Sequence, residues 1–153
     1  METRPLTKAD YDQIVCDIDR WWGGPTSALA HPMFFYELGR FARVVEDAGR
    51  LVGFLLGFMC PGSALGYVHL VGIHPDYRRR GVAKVLYAAF EEDCLREGCR
   101  QIKAITTLGN EASVGFHQAL GWSTVEVEDY AGPGRLRIVF TKALEVPKTG
   151  EAP

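Results

Sequence analysis

Cysteine is scarce: the chain has four in 153 residues, at positions 16, 60, 94 and 99, and no two form a CxxC pair. Without that spacing there is no ligand set for a zinc knuckle and no dithiol redox centre, and no metal site is expected. The four read as reduced, mostly buried thiols. Long hydrophobic runs are also missing. The longest, residues 51–60, is interrupted by Gly53 and Gly57, and it is half the roughly 20 residues a membrane-spanning helix needs. No membrane association is expected. The first residues, Met1 to Leu6, carry no apolar h-region. With free thiols, that favours the cytoplasm. Charge of one sign is lacking too. A net charge of −2 and a pI near 6.1 exclude the strong positive field of a nucleic-acid-binding chain, so no nucleic acid partner is expected.

What is present is a globular composition. Hydrophobic residues make up 47% and charged residues 24%, enough to bury one core. The length fits one domain, expected over residues 1–144. Residues 145–153, with Pro147, Gly150 and Pro153, have no apolar periodicity and read as a flexible tail.

The patterning predicts a strand at residues 3–6 and a helix from Thr7 or Asp10 to Trp22, stopped by Gly23-Gly24-Pro25. A second helix is predicted from His31 or Pro32 to Phe41. A hairpin follows, residues 43–46 and 50–59 around Asp47-Ala48-Gly49. The next strand, 65–73, is broken by His74-Pro75-Asp76. Residues 81–98 form the clearest helix, with Val82, Val85, Leu86, Ala89 and Phe90 on one stripe. A strand at 102–106, a helix at 111–120 capped by Asn110, and strands at 124–128 and 135–141 complete the chain. The fold class is a mixed α/β domain, with a largely antiparallel sheet and one parallel crossover.

That crossover carries the most informative segment. A strand ends, a basic turn of Arg78, Arg79 and Arg80 follows, and a helix begins at Gly81. The first N–H groups of a helix have no intrahelical partner, and the macrodipole adds positive charge there. This is a ready anion site, suited to a pyrophosphate. Gly81 and Ala83 keep the approach open, and Lys84 adds countercharge.

The Arg78-x-x-Gly81-x-Ala83 pattern resembles the [Gln/Arg]-x-x-Gly-x-[Gly/Ala] signature of the GNAT acyltransferase superfamily. Asn110 to Trp122, an Asn before a short helix ending in Leu-Gly-Trp, is similar to that family's second signature. The resemblance covers roughly residues 43–141. It implies an acyl-CoA donor, most simply acetyl-CoA, and a parallel strand pair splayed to receive the pantetheine arm as an added strand. It assigns cofactor binding to Val71, Gly72, Ile73, Arg78, Arg79, Arg80, Gly81, Val82, Ala83, Lys84 and Asn110. An N–H near Val71 would serve as oxyanion donor.

The implied reaction is direct acyl transfer to a primary amine in a ternary complex. Such an amine has a pKa of about 10.4 and must be deprotonated before attack. Period-two alternation puts Tyr67, His69, Val71 and Ile73 on one strand face. His69 is therefore the candidate base, with Tyr67 beside it; relatives that acetylate small aromatic amines carry histidines at these two positions. Many relatives protonate the leaving thiolate with a tyrosine seven residues after Asn110. Here that residue is His117, and Tyr130 and Tyr87 are fallback donors, although Tyr87 reads first as a buried helix residue.

The acceptor side is expected to include the aromatic-rich region of Trp21, Trp22, Phe34, Phe35 and Tyr36, read equally as core packing with a homodimer contact. Asp17, Asp19 and Glu37 read as a charged helix face or as a site for a cationic amine. An acidic groove would favour a polyamine or basic protein, and a deep aromatic pocket a small amine. Two alternatives stay open: a non-catalytic acyl-CoA-binding module, and an enzyme acting on a protein lysine or N-terminus.

Overall fold

The computed structural model describes residues 1–22 and 27–145. The expected helix stop at Gly23-Gly24-Pro25 and nearly all of the expected tail lie outside the described residues. The elements run β1 (Glu2–Pro5), α1 (Lys8–Trp22), α2 (Met33–Tyr36), β2 (Arg43–Asp47), β3 (Arg50–Cys60), β4 (Leu65–Ile73), α3 (Val82–Arg96), β5 (Gln101–Thr106), α4 (Glu111–Ala119), β6 (Ser123–Val127) and β7 (Arg137–Ala143). Among the described residues, no helix is long and apolar enough to cross a membrane.

The strands form one seven-stranded sheet, ordered β1-β2-β3-β4-β5-β7-β6. Every pair is antiparallel except β4–β5. That exception follows from the connection, because a strand–helix–strand crossover through α3 returns the chain parallel to β4. The fold class read from the sequence is the one observed.

Two apolar layers sandwich the sheet. On one face Leu55, Val68, Ile102 and Phe140 meet Val82, Leu86 and Phe90 of α3. On the other, Phe54, Leu56 and Leu70 meet Ile14, Ile18 and Trp21 of α1 and Phe34 of α2. An ion pair fixes α3 against the sheet. Arg43 Nε and Nη2 donate to Asp93 at 2.8 and 2.9 Å, with Asp93 buried. Burial alone would raise the Asp93 carboxyl, but the Arg43 guanidinium holds it below the usual carboxylate range.

The second helix is shorter than the pattern suggests. The N–H groups of Glu37 and Leu38 both bond to Met33 O, which closes the helix after one turn. Gly39 then packs so tightly that a Cβ there would lie 3.0 Å from Phe34 O. The chain makes a 3-10 turn at Gly39–Phe41 before β2. Strand β7 starts at Arg137 rather than 135, because Arg135 O accepts the Ala131 N–H to close the preceding loop.

Candidate active site

The site is generated by one irregularity in β4. The β3–β4 register pairs Leu56 with Leu70 and Gly57 with Val68, so His69 is an extra residue without its own partner. This is a β-bulge, and it bends the strand. Gly57 sits opposite it, where a Cβ would come within 2.9 Å of Tyr67 O. The parallel ladder to β5 runs from Leu65–Gln101 to Val68–Ala104 and ends at the bulge. Beyond it, β4 continues to Ile73 and β5 to Thr106 with no ladder pair between them. The backbone in this gap is presented in a definite phase. His74 N–H donates to Val52 O at 2.8 Å. Ladder alternation then points the backbone groups of Val71 and Ile73 away from β3, into the gap.

The bulge also corrects the expectation that Tyr67, His69, Val71 and Ile73 share a face. Tyr67 packs on Phe58, and the His69 ring stacks on Phe34, both on the α1–α2 side. Val71 and Ile73 pack against the α3-side core. One inserted residue reverses the alternation from that point onward.

At one end of the gap, β4 passes through a 3-10 turn (Pro75–Tyr77) into α3. Gly81 is the N-cap with φ +80°, the left-handed region that favours glycine. The first helical bond is Val85 N–H to Gly81 O, so the N–H groups of Val82, Ala83 and Lys84 have no partner within the helix. These three residues line a hollow of about 500 Å³ together with Ile73, Arg78 and Arg79. The three arginines differ in use. Arg78 donates to Trp21 O and ties the loop to α1. Arg80 lies 4.5 Å from the Tyr77 ring centre and does not line the hollow. Arg79 lines it, with φ +62°.

At the other end is a cleft of about 640 Å³ between β4, β5 and α4. Tyr67, His69, Val71, Asn110 and His117 all line it, whereas Gly72 does not. Asn110 caps α4, accepting Ser113 N–H at 3.3 Å and donating to Thr106 Oγ1 at 3.0 Å. Among the described residues no cysteine lines the cleft.

The two histidines are held in opposite tautomers. His69 Nε2 lies 2.7 Å from Leu29 O, and a carbonyl only accepts, so Nε2 carries the proton and Nδ1 keeps a lone pair. Burial pushes the His69 pKa down, keeping the ring neutral at pH 7. His117 is buried and stacked on Phe140. Its Nδ1 lies 2.7 Å from Ser113 O and must be the donor. Its Nε2 therefore accepts from Tyr87 Oη at 2.9 Å. Burial depresses His117 as well and raises the Tyr87 phenol strongly.

Tyr87 is the residue that sequence reasoning set aside. It lies off the apolar stripe of α3 and faces His117 and Trp122 instead. A large polar aromatic outside the stripe of an amphipathic helix was the available signal. Tyr130 is exposed and is not among the residues that line the cleft, with the Lys103 ammonium 5.0 Å from its ring centre. Of the aromatic-rich region, Trp21 and Phe34 are core residues and Tyr36 is exposed.

Comparison with known proteins agrees with this geometry. A family model described as the acetyltransferase (GNAT) family matches residues 8–122. An acetyltransferase of Pectobacterium atrosepticum is 28% identical over 131 residues, covering 82% of this chain and 90% of that protein. Among solved structures, the ribosomal-protein-S18-alanine N-acetyltransferase from Escherichia coli superposes with a TM-score of 0.79 at 14% identity, covering 99% and 98% of the two chains. An aminoglycoside 6'-N-acetyltransferase complexed with coenzyme A gives a TM-score of 0.75 at 17% identity, covering 96% and 99%.

Proposed function

The chain belongs to the acetyltransferase (GNAT) family, and from that premise we propose that it transfers an acetyl group from acetyl-CoA directly to a primary amine bound beside His69. The observation that carries this reading is the gap opened by the bulge. It runs from an anion-binding helix start at one end to a neutral, tautomer-fixed histidine at the other.

The pantetheine arm would fill the gap as an added strand, pairing with the backbone of Val71 and Ile73. The pyrophosphate would sit on the N–H groups of Val82, Ala83 and Lys84, with Arg79 as countercharge. Arg78 would act indirectly, by holding the loop against α1. Asn110 would orient the pantetheine amides from its capping position.

His69 Nδ1 takes the ammonium proton, directly or through one water, and the free amine attacks the thioester carbonyl. The N–H of Val71 stabilises the oxyanion. When the C–S bond breaks, the thiolate takes up a proton from solvent in the cleft, relayed through the Tyr87 hydroxyl as its own proton turns from His117 Nε2 toward the sulfur. His117 orients that hydroxyl, and its nearness to the sulfur follows from its place on α4. The second proton on nitrogen leaves as the amide forms, so one proton is released per turnover.

Thiol release from acetyl-CoA, followed against a panel of amines and peptides, tests the reading. CoA binding with amine-dependent thiol release is expected. Tight CoA binding without turnover of any amine or peptide would overturn catalysis and leave the donor site standing.

A further inference from the structure

The charge of the cleft carries information about the acceptor. Among the described residues no Asp or Glu lines it, yet Arg137 does. Arg137 is half-buried, and among the described residues its side chain makes one hydrogen bond, Nη1 to the carbonyl of its neighbour Leu136, 2.9 Å away. It has no ion-pair partner among the described residues. A guanidinium has five N–H donors, so most of its fork is unspent. The registers put it on the face of Tyr67, since Tyr67 pairs with Lys103, Lys103 with Thr141, and Arg137 lies two alternations along β7. Lys103 on that face has its ammonium over the Tyr130 ring and no ion-pair partner among the described residues. The acids that might have held a cationic acceptor lie elsewhere. Asp17 pairs with Arg20, Asp19 accepts the Ser27 N–H, and neither they nor Glu37 lines the cleft.

We infer that the acceptor is a small amine that also carries a carboxylate, gripped by the Arg137 guanidinium while its amine faces His69 Nδ1. A polycationic acceptor would bring positive charge into a cleft with no carboxylate to receive it and one cation to repel it. A carboxylated amine satisfies the unspent fork bidentately and presents its nitrogen across the cleft. This inference rests on the reading of the cleft as the acceptor site.

The experiment compares α- and β-amino acids with their amides and decarboxylated amines, using acetyl-CoA and wild type, R137K and R137Q. Calorimetry of CoA in each variant checks that the donor site is intact. In wild type, kcat/KM should favour the carboxylated amine by about tenfold or more, the scale of a charge-assisted hydrogen bond. R137Q should erase that preference by lowering kcat/KM for the carboxylated amines about tenfold or more, and R137K should fall between. Equal turnover of carboxylate-free amines, or a preference that survives R137Q, overturns the inference and leaves the transferase reading intact. If no amine turns over, calorimetry on CoA-saturated protein separates the two. Arg137-dependent binding of carboxylated amines supports the inference while overturning catalysis, and its absence overturns the inference.

Discussion

The loop that starts α3 and the cleft beside His69 lie at two ends of one gap, and they are built from different materials. The loop end is backbone: three N–H groups of consecutive residues, opened by a left-handed Gly81. The cleft end is side chains gathered from β4, β5, α3, α4 and β7. Backbone donors of a helix start need no partner elsewhere in the chain, so the loop tolerates surface change and is sensitive to its dihedral angles. The cleft depends on tautomers, and each tautomer is fixed by one backbone carbonyl, remote in sequence for His69 and one helical turn back for His117. His69 is set by Leu29 O and His117 by Ser113 O. The two ends should therefore fail in different ways.

The largest separation is expected from His69→Gln. Amine turnover should fall about a hundredfold or more, the usual contribution of a general base, while calorimetric CoA affinity stays unchanged. A change in CoA affinity would break the distinction between the ends. Next is Tyr87→Phe, which leaves the buried His117 Nε2 without a donor. Denaturant unfolding should show a loss of about 1–3 kcal/mol, with kcat reduced and CoA affinity kept. Gly81→Val should do the reverse. Forcing an L-residue into that φ costs about 1–2 kcal/mol, so CoA affinity should fall about tenfold in calorimetry while the KM for amine is retained.

A pH series gives a smaller effect. His69 and His117 are buried neutral, with pKa values below the ordinary 6.5. The folded state thus binds fewer protons than the unfolded chain. Stability should be full above pH 6.5 and decline as pH falls through the depressed values. The acid limb of kcat/KM should lie below pH 6.5 and vanish in His69→Gln. Unfolding curves and rates at pH 5 and 8 check both. The smallest effect is expected from Arg78→Ala. It removes one hydrogen bond to Trp21 O, worth about 0.5–1.5 kcal/mol, and should lower the melting temperature more clearly than it weakens CoA.

Much of the fold was legible, because strongly periodic segments such as 65–73 and 81–98 declare their own secondary structure. The parallel β4–β5 pair followed from the crossover between them. Segments ruled by contacts were less legible. The second helix was overextended because its stop is the double bond of the Glu37 and Leu38 N–H groups to Met33 O, followed by the tight packing of Gly39 on Phe34 O, which no propensity encodes. Arg78, Arg79 and Arg80 looked equivalent in sequence, yet they have three different uses, decided by which neighbour each can reach.

By itself, the sequence determined the helix start at Gly81 and the family, because a helix start is written in contiguous residues and its chemistry belongs to the backbone. The tertiary structure alone decided the rest of the site. A single bulged residue turned His69 away from Val71 and Ile73, and parted β4 from β5. Packing of α3 against α4 brought Tyr87 onto His117, thirty residues away, and β7 brought Arg137 into the cleft with no counter-ion among the described residues. Side-chain partnerships of this kind depend on register and on the packing of distant elements, and one residue of register is enough to change a face.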